Sequence, residues 1–321
     1  MCTAISLPGG FFGRTLDLHQ SPGERLCRLE RGQKLPLRCA EAAVVRSSIL
    51  GMAHESKGTP LFYDAMNEHG LAMAALRFPD LCAYHAPQEG KVNLAPFELI
   101  PYVLSSCASL MEAKALLSRV NLADFAFSPA LPNTPLHFML ADSQGSLVVE
   151  STADGLHLYD NPAGVMTNSP DFPWHIQHLS LRAHRPGGDC VAALPGDVSS
   201  ASRFVRAAYA RAHSAAPKGT SGVMQLFHLL DFVCIPRGLT LGEGGKLPYT
   251  VYACAMDLDA KAYYCRTYQD GRIQQDDYAL KIFSSSLPSL LATATAATES
   301  PTQFREVTSI SIGRLIARIS A

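Results

Sequence analysis

The first seventeen residues, MCTAISLPGGFFGRTLD, contain the pattern that decides the fold. Residues 3–7 alternate as a half-buried strand does, and Pro8-Gly9-Gly10 is a turn signal followed by a second extended run. A hairpin whose turn centres near Gly9 places Cys2 roughly opposite Leu16, and brings Arg14 and Asp17 close to the start of the chain. The sequence therefore predicts that the chain enters a sheet almost at its first residue.

The order of the remaining elements indicates an α+β protein. Strands are expected at 42–50, 61–64, 71–78, 136–141, 146–150, 155–159, 164–167, 249–257 and 262–268, and helices at 113–120, 200–212 and 221–234. A capping box is expected before the first helix, at 109–112. Antiparallel hairpins with separate helical blocks do not give the alternating βαβ order of a doubly wound sheet. Two sheets with helices on their outer faces fit this order.

The chain is expected to form one domain. Residues 1–321 contain no convincing linker, internal repeat or heptad run. Residues 183–190, with a Pro-Gly-Gly-Asp centre, are expected to form a surface loop. Residues 155–159 and 164–167 are expected to extend the same sheet as the hairpin before them.

Composition and charge favour a small-molecule partner. Hydrophobic residues make up 47% of the chain and charged residues 17%, which is enough for a large core. The net charge is -1, so there is no electrostatic reason to expect nucleic acid or an anionic membrane as the partner. Apolar runs all fall short of the roughly 18 residues of a membrane span.

The nine cysteines form an odd number, so they cannot all be paired in disulfides. A secretory leader is not evident at the start of the chain. Reduced thiols and a cytoplasmic location are therefore expected.

Cys2 is the residue with the most distinctive chemistry. Initiator methionine is usually removed before a small residue, and the mature chain would then carry a thiol and a free α-amino group on Cys2. An α-amino group has a pKa of about 7.7–8.0, close to neutral pH, which suits it to act as a general base. Nucleophiles activated by an N-terminal amine are an established solution to covalent catalysis. The alternative is that Cys2 is an ordinary small residue after Met1.

Two charged neighbours favour the catalytic interpretation. Arg14 is a permanent cation that would favour the thiolate of Cys2. Asp17 would accept a hydrogen bond from the α-ammonium group and orient it. The simpler interpretation of residues 13–17 is a strand end with a surface ion pair.

A series of motifs in the chain resembles the choloylglycine hydrolase family, which contains bile salt hydrolases and penicillin V acylases. The matching segments, in order, are 1–5, 12–17, 64–71 (DAMNEHGL), 97–101 (FELIP), 135–142, 160–162 (DNP), 165–170 (VMTNSP), 194–197 (LPGD), 202–206 (SRFVR) and 266–268. The similarity covers about residues 2–275, and the order and spacing of the motifs make it specific. The tail at 285–321 does not resemble the usual ending of the family.

The resemblance implies an N-terminal-nucleophile (Ntn) hydrolase with a four-layer αββα sandwich. It implies that Cys2 is the nucleophile, that Arg14 lies beside the thiol and that Asp17 binds the amine. It further implies that Asn168 helps to hold the oxyanion and that Arg203 stabilises charge in the transition state. The expected reaction is cleavage of a linear amide, first of glycine- or taurine-conjugated bile acids, with penicillin V and other N-acyl amides such as acyl-homoserine lactones as alternatives. A homo-oligomer, dimer or tetramer, is also expected.

Arg77 departs from the family pattern. Bile salt hydrolases usually have Asn at this place and penicillin acylases often have Tyr, whereas this chain has Leu76-Arg77-Phe78-Pro79. An arginine there can donate hydrogen bonds, and can also attract the carboxylate of a glycine conjugate or the sulfonate of a taurine conjugate. Arg77 is therefore a candidate substrate-binding residue.

Three other functions have weaker support in the sequence. A metal site has weak support, because His175 and His178 lie three apart without an HExxH or paired CxxC pattern, so neither a metal nor another cofactor is expected. A redox protein would be expected to contain CxxC, which is absent. A non-catalytic small-molecule binder on the same scaffold remains an alternative, and it predicts binding without turnover and an unreactive Cys2.

Overall fold

The computed structural model describes residues 1–183, 194–214 and 219–275, within which the element bounds are as follows. The strands are β1 (Cys2–Leu7), β2 (Phe11–Leu18), β3 (Arg25–Leu29), β4 (Lys34–Leu35), β5 (Ala43–Val44), β6 (Ile49–Ser56), β7 (Thr59–Asn67), β8 (Ala72–Arg77), β9 (Val92–Leu94), β10 (Val120–Leu122), β11 (Leu136–Ala141), β12 (Ser146–Thr152), β13 (Gly155–Asp160), β14 (Val165–Met166), β15 (Tyr249–Asp257), β16 (Ala262–Thr267) and β17 (Gln274–Gln275). The α-helices are α1 (Leu99–Ser106), α2 (Leu110–Leu117), α3 (Phe172–Ala183), α4 (Ser200–His213) and α5 (Thr220–Asp231). The expected loop centre at 186–189 and the tail at 285–321 lie outside the described residues.

Two large antiparallel sheets form the centre of the fold. One has six strands in the order β14-β1-β2-β15-β16-β17, and the other has seven in the order β13-β12-β11-β8-β7-β6-β3. Helices α4 and α5 pack on β1, β2 and β15, while α1 packs on β6, β7 and β8. The described residues therefore form the αββα sandwich expected from the resemblance. One buried apolar cluster lies between the two sheets and under α4 and α5, and a second lies between the seven-stranded sheet and helices α1 and α2.

The N-terminal hairpin has the predicted register. Cys2 pairs with Leu16 and Ala4 pairs with Arg14. Side chains alternate along a strand, so Cys2 and Arg14 lie on the face directed toward the other sheet. At Gly13 a Cβ would lie 2.3 Å from the carbonyl oxygen of Cys254 in the neighbouring strand, so only glycine allows this close pairing of β2 with β15.

Most of the other predicted hairpins and helices are confirmed. Strands β11 and β12 and strands β15 and β16 form the two hairpins, and α4 begins at Ser200 as expected. Ser109 is the N-cap of α2, where its hydroxyl accepts a hydrogen bond from the Glu112 amide at 3.3 Å. The Glu112 carboxylate accepts from the amide of Ala108, one residue before the cap.

Two expectations about strands were wrong. The continuous strand at 42–50 is interrupted, because the amides of Val45 and Ser47 bond to Gln33 and Ser105 instead of a neighbouring strand. Segments 155–159 and 164–167 do not extend one sheet: β13 pairs with β12, whereas β14 crosses to pair with β1 in the other sheet. This crossing places the residue after Thr167 beside Cys2.

Within the described parts of the chain, none of the helices has the length and apolar character needed to cross a membrane.

Candidate active site

Cys2 is buried at the start of β1, between β2 and β14, with 2% of its surface exposed. Its backbone nitrogen donates a hydrogen bond to Oδ1 of Asn168 at 2.7 Å. Met1 precedes this nitrogen in the structure, so the amide marks the position that the α-amino group of Cys2 would occupy after Met1 is removed. Asn168 therefore contacts the atom that the sequence identifies as the base.

Arg203 holds Cys2 and Asn168 together from the helical side of the sheet. One guanidinium nitrogen donates to the carbonyl oxygen of Cys2 at 2.5 Å and to Oγ1 of Thr3 at 2.7 Å, and another donates to Oδ1 of Asn168 at 2.8 Å. The side chain is fully buried. Burial lowers the pKa of Arg203, and the acidic groups of Asp17 and Cys2 oppose this shift. These contacts support a role for Arg203 in fixing the site, beyond the charge stabilisation expected from the sequence.

The side-chain amide of Asn168 has a hydrogen left for a substrate. Its Nδ2 donates to the carbonyl oxygen of Arg77 at 2.8 Å, which uses one of its two hydrogens. The backbone of Asn168 is fixed by the Ser200 hydroxyl and by Nε2 of His175, which contacts the Asn168 carbonyl at 2.9 Å. The second Nδ2 hydrogen has no acceptor among the described residues, and is suited to an oxyanion.

Asp17 lies on the opposite side of the sheet from the thiol. Its carboxylate accepts hydrogen bonds from the hydroxyls of Thr250 at 2.7 Å and Thr15 at 3.3 Å. Burial raises the pKa of Asp17, while the positive N-terminus and Arg203 act in the opposite direction. With Met1 in place, the amino terminus contacts the backbone oxygen of Asp17 at 3.4 Å. The carboxylate is thus near the chain start, and the direct bond to an α-ammonium on Cys2 stays a prediction.

Arg14 is fully buried on the inner face of the sheet, with Cys2. Its Nη1 lies 3.6 Å from the Asp64 carboxylate and donates to the carbonyl oxygen of Tyr63 at 3.2 Å. Burial lowers the pKa of Arg14, but the acidic groups of Cys2, Tyr252 and Asp64 outweigh it and raise the pKa above the ordinary value. Nη2 of Arg14 has no hydrogen-bond partner in the described structure. A buried donor of this kind can bind a thiolate or a substrate oxygen.

Asp64 is a site residue that the sequence did not identify. It is completely buried and accepts hydrogen bonds from the hydroxyls of Tyr252 and Tyr263, both at 2.5 Å. Burial raises the pKa of both tyrosines well above the ordinary value, so both hydroxyls stay protonated and donate. Tyr252 and Tyr263 come from the β15–β16 hairpin and Asp64 from β7 of the other sheet, so only the folded sandwich brings them together near Arg14.

Cys2 lines a cavity of about 290 Å³, near the lower end of the size range of small-molecule sites. Most of its walls are apolar or aromatic, and the lining includes Leu16, Leu18, Leu61, Phe62, Tyr63, Ala75, Pro96, Phe97, Ile100, Phe127, Leu131, Pro132, Leu136 and Phe138. Arg77 also lines the cavity, and its side chain is exposed. Phe11 and Phe12 belong to the core, and Phe125 is not part of this wall.

Arg38 braces the aromatic wall. Its guanidinium lies 5.8 Å from the ring centres of both Phe97 and Phe127, and donates to the Phe127 carbonyl at 2.5 Å. These three residues are separated widely in the sequence, and no sequence motif indicates that they meet. In the described part of the chain, no three His, Cys, Asp or Glu side chains cluster as metal ligands would.

His175 should make the free energy of unfolding depend on pH. Burial lowers its pKa to about 4, and the hydrogen bond to Asn168 opposes this shift. An unfolded histidine has a pKa of about 6.5, so between these values the unfolded chain binds a proton that the folded chain does not. We expect the free energy of unfolding to fall as pH drops through this window, by about 3 kcal/mol in total. Chemical denaturation at stepwise pH should show this loss, and His175→Gln should reduce it; an equal loss in the variant would contradict the assignment.

Comparison with known proteins agrees with this geometry. A family model for linear amide C–N hydrolases of the choloylglycine hydrolase family matches residues 2–287. The chain belongs to the choloylglycine hydrolase family. The bile salt hydrolase/transferase of Lactiplantibacillus plantarum is 38% identical over 295 residues, which cover 85% of this chain and 91% of the relative. The conjugated bile acid hydrolase of Lactobacillus acidophilus is 32% identical, over 88% of this chain and 95% of the relative.

Two solved structures have the same fold. A variant of the conjugated bile acid hydrolase from Clostridium perfringens superposes with a TM-score of 0.79 at 32% identity, covering 86% of this chain and 92% of the other. Penicillin V acylase from Agrobacterium tumefaciens superposes with a TM-score of 0.70 at 23% identity, covering 86% of each chain, which shows the fold alone. This choloylglycine hydrolase is thus an enzyme of the Ntn fold that acts on linear amide C–N bonds.

Proposed function

We propose that this enzyme removes glycine or taurine from conjugated bile acids, with Cys2 as an N-terminal nucleophile. The observation that carries the proposal is that the thiol-bearing residue lines an apolar cavity beside an exposed arginine, Arg77. A conjugated bile acid has the matching parts: a large apolar acyl group, an amide, and an anionic carboxylate or sulfonate on the leaving amine. Relatives described as bile salt and conjugated bile acid hydrolases support this substrate class.

Removal of Met1 would create the catalytic base. The free α-amino group of Cys2 then replaces the amide that contacts Asn168 in the structure. It takes the proton of its own thiol, and the cation of Arg14 on the same face stabilises the resulting thiolate. Asp17, near the chain start, balances the positive amine.

Acyl transfer follows from this arrangement. The Cys2 sulfur attacks the amide carbonyl, and the free Nδ2 hydrogen of Asn168 binds the oxygen that becomes negative. One oxyanion donor of this kind typically contributes about 2.7–4 kcal/mol to lowering the barrier. The α-ammonium group returns its proton to the leaving nitrogen, the C–N bond breaks, and the acyl group stays on sulfur as a thioester.

Water completes the cycle. The α-amino group, now neutral, takes a proton from a water molecule, whose oxygen attacks the thioester carbonyl. When the C–S bond breaks, the bile acid leaves and the thiol is restored. Arg203 holds Cys2 and Asn168 in the same relative position during both steps, through hydrogen bonds that involve neither the thiol nor the substrate.

Three substrates test the proposal directly. Hydrolysis rates of glycocholate, taurocholate and penicillin V should be measured on protein whose intact mass shows that Met1 is absent. We expect the two conjugated bile acids to be cleaved faster than penicillin V. Fully active enzyme that retains Met1 would refute the mechanism, and tight bile acid binding without turnover would identify a non-catalytic binder.

Penicillin V or another N-acyl amide is the second candidate substrate class. It is favoured by the aromatic part of the cavity wall, where Phe62, Tyr63, Phe97, Phe127 and Phe138 could pack on a phenoxyacetyl group. Faster turnover of penicillin V, or of an acyl-homoserine lactone, than of both bile acid conjugates would favour this candidate.

Arg77 should select substrates with an anionic leaving group. For Arg77→Gln we expect kcat/KM on glycocholate to fall about 10- to 100-fold, because a hydrogen bond to a charged group is worth about 1.5–3 kcal/mol. Hydrolysis of cholyl methylamide, which lacks the anion, should change about twofold or less. Arg77→Lys should retain part of the preference, and Arg46→Gln, an exposed arginine along a different groove, should have no effect. Equal losses on both substrates would exclude this role.

A homo-oligomer in the cytoplasm is the assembly and location that we propose. The eight described cysteines are all free, which suits a reducing compartment. Exposed apolar side chains at Phe232, Leu239, Leu241 and Leu247 offer surface for self-association. Sedimentation of the purified chain and fractionation of the source cells would test the two statements separately.

A further inference from the structure

His137 and Glu150 form a buried pair next to the active site. They lie opposite each other on β11 and β12, one step beyond the register pair Phe138 and Val149. Each side chain is 1% exposed, and Nδ1 of His137 lies 3.1 Å from Oε1 of Glu150. The reaction described above does not use either residue.

The two ring nitrogens of His137 both face acceptors. Nε2 lies 2.9 Å from the carbonyl oxygen of Thr167, which can only accept a hydrogen bond. Nδ1 faces the Glu150 carboxylate, whose oxygens also accept from the backbone amide of Phe172 at 3.0 and 3.2 Å. A neutral imidazole has only one N–H, so its other, unprotonated nitrogen would face an acceptor without a hydrogen to donate. The contacts are all satisfied only when the pair holds one additional proton.

The surroundings of the ring favour placing that proton on His137. The ring of Phe78 stacks on the imidazole with 4.6 Å between centres and 4° between planes. An aromatic face attracts a cation, and an ionised Glu150 compensates its charge at hydrogen-bond distance. An imidazolium beside a carboxylate has no net charge, which reduces the cost of burying it.

We propose that His137 and Glu150 keep one proton between them as an imidazolium–carboxylate pair, and that this pair is the positioning element for Asn168. His137 bonds to the Thr167 carbonyl, directly before Asn168. Glu150 holds Phe172, the first residue of α3, and α3 carries the His175 that bonds to the Asn168 carbonyl. The pair therefore fixes the asparagine backbone from both sides. The positioning role rests on the proposed function, whereas the protonation of the His137–Glu150 pair does not.

Several other ionisable groups face this pair from the elements around it. Tyr159 and His157 extend from β13, and His157 bonds to Asp154 at the surface at 3.0 Å. Burial raises the pKa of Tyr159, so its hydroxyl stays neutral. Asp171 precedes α3, and Arg203 lies on α4. His175 on α3 interacts with the pair: burial lowers the pKa of His175, and the charge of His137 lowers it further, so His175 stays neutral beside an imidazolium at His137.

Nitrogen NMR of the whole chain, with labelled histidine, tests the proton directly. The chain has eleven histidines, and the signals of His137 can be assigned by their loss in His137→Phe. At about pH 7.5, above the ordinary histidine pKa of about 6.5, we expect both ring nitrogens of His137 to carry hydrogen. In Glu150→Gln the glutamine amide can donate to Nδ1, so one ring nitrogen should become bare. A bare ring nitrogen in the wild-type chain would overturn the proposal.

The pH dependence of unfolding supplies an independent measurement. Above about pH 6.5 the unfolded histidine loses its proton while the folded pair keeps it, so the folding equilibrium constant should decrease as pH rises. The folding equilibrium constant of the wild type, divided by that of Glu150→Gln, should decrease about tenfold per pH unit between about pH 6.5 and 8. Asp154→Asn, which breaks the exposed His157 pair, should keep the wild-type slope. Equal slopes in wild type and Glu150→Gln would overturn the proposal even if activity were unchanged.

Activity separates positioning from a purely structural role. Glu150→Gln keeps donors and acceptors in place, so kcat on the preferred amide should stay within about threefold. His137→Phe keeps the stack on Phe78 but loses the bond to Thr167, and should lower kcat about tenfold with KM within about twofold. A similar kcat in both variants would exclude the positioning role. If His137→Phe does not fold, the pH dependence of unfolding in the wild type and in Glu150→Gln still decides whether the pair holds the proton.

Discussion

Cys2→Ala is expected to abolish amide hydrolysis while leaving the fold intact. Removing the nucleophile of an enzyme that acts through a covalent intermediate typically costs about 10⁶-fold in kcat. Alanine fits the buried end of β1 and still permits Met1 to be removed, so the variant should unfold like the wild type and its intact mass should show that Met1 is absent. The measurement is the rate of glycocholate hydrolysis by Cys2→Ala, compared with the rate of the wild type and the rate without enzyme.

Cys2→Ser is the matched control for this prediction. It retains the α-amino group and nearly the shape of cysteine, but a hydroxyl is ionised far less readily than a thiol. We expect residual activity at least about 10³-fold below the wild type, and no reaction with iodoacetamide at position 2. Wild-type rates in Cys2→Ala would rule out Cys2 as the nucleophile and show that a different group attacks the amide.

Asp64→Asn is expected to cause the largest loss of stability. The substitution leaves the buried cation of Arg14 without its carboxylate, 3.6 Å away, and weakens the bonds from Tyr252 and Tyr263. Breaking a buried ion pair from one side typically costs about 3–5 kcal/mol, a large part of the roughly 5–15 kcal/mol that stabilises a domain. Urea denaturation should show this loss at neutral pH.

A double variant distinguishes the lost charge balance from a packing defect. Arg14→Met combined with Asp64→Leu removes both charges, and replacement of a buried pair by apolar residues is often neutral or stabilising. We expect it to recover most of the stability lost in Asp64→Asn, yet to remain nearly inactive because Arg14 no longer faces Cys2. If the double variant were less stable than Asp64→Asn, packing around the tyrosines would be the main contribution of this cluster.

Local sequence signals were sufficient for the elements that carry Cys2. The turn at residues 8–10 determines the register of the first hairpin, and that register places Cys2 opposite Leu16. The strand that precedes Asn168 was assigned to the wrong sheet, because the pattern of two apolar residues does not show which sheet they join. Pairing of β14 with β1 is a long-range choice, made by packing of the whole sandwich.

The residues that support the active site from behind could be identified only from the structure. The contacts of Asp64 with Tyr252 and Tyr263 join positions about 190–200 residues apart, and no spacing rule connects them. His137 and Glu150 are different, since the predicted hairpin at 136–150 already implies that they lie opposite each other. What the hairpin does not reveal is that both are buried, and that the second nitrogen of His137 meets Thr167.

The burial of Cys2 has a consequence for how the enzyme matures. The peptide bond between Met1 and Cys2 enters the folded sheet, where the nitrogen of Cys2 bonds to Asn168 and its carbonyl bonds to Arg203. An aminopeptidase must bind this bond in its own cleft, and these contacts hold the bond in place in the folded sheet. If Met1 is removed as proposed, its excision belongs to synthesis on the ribosome, before β1 joins β2 and β14. We therefore expect chains that fold first to be processed more slowly, so the yield of active enzyme would depend on the relative rates of processing and folding.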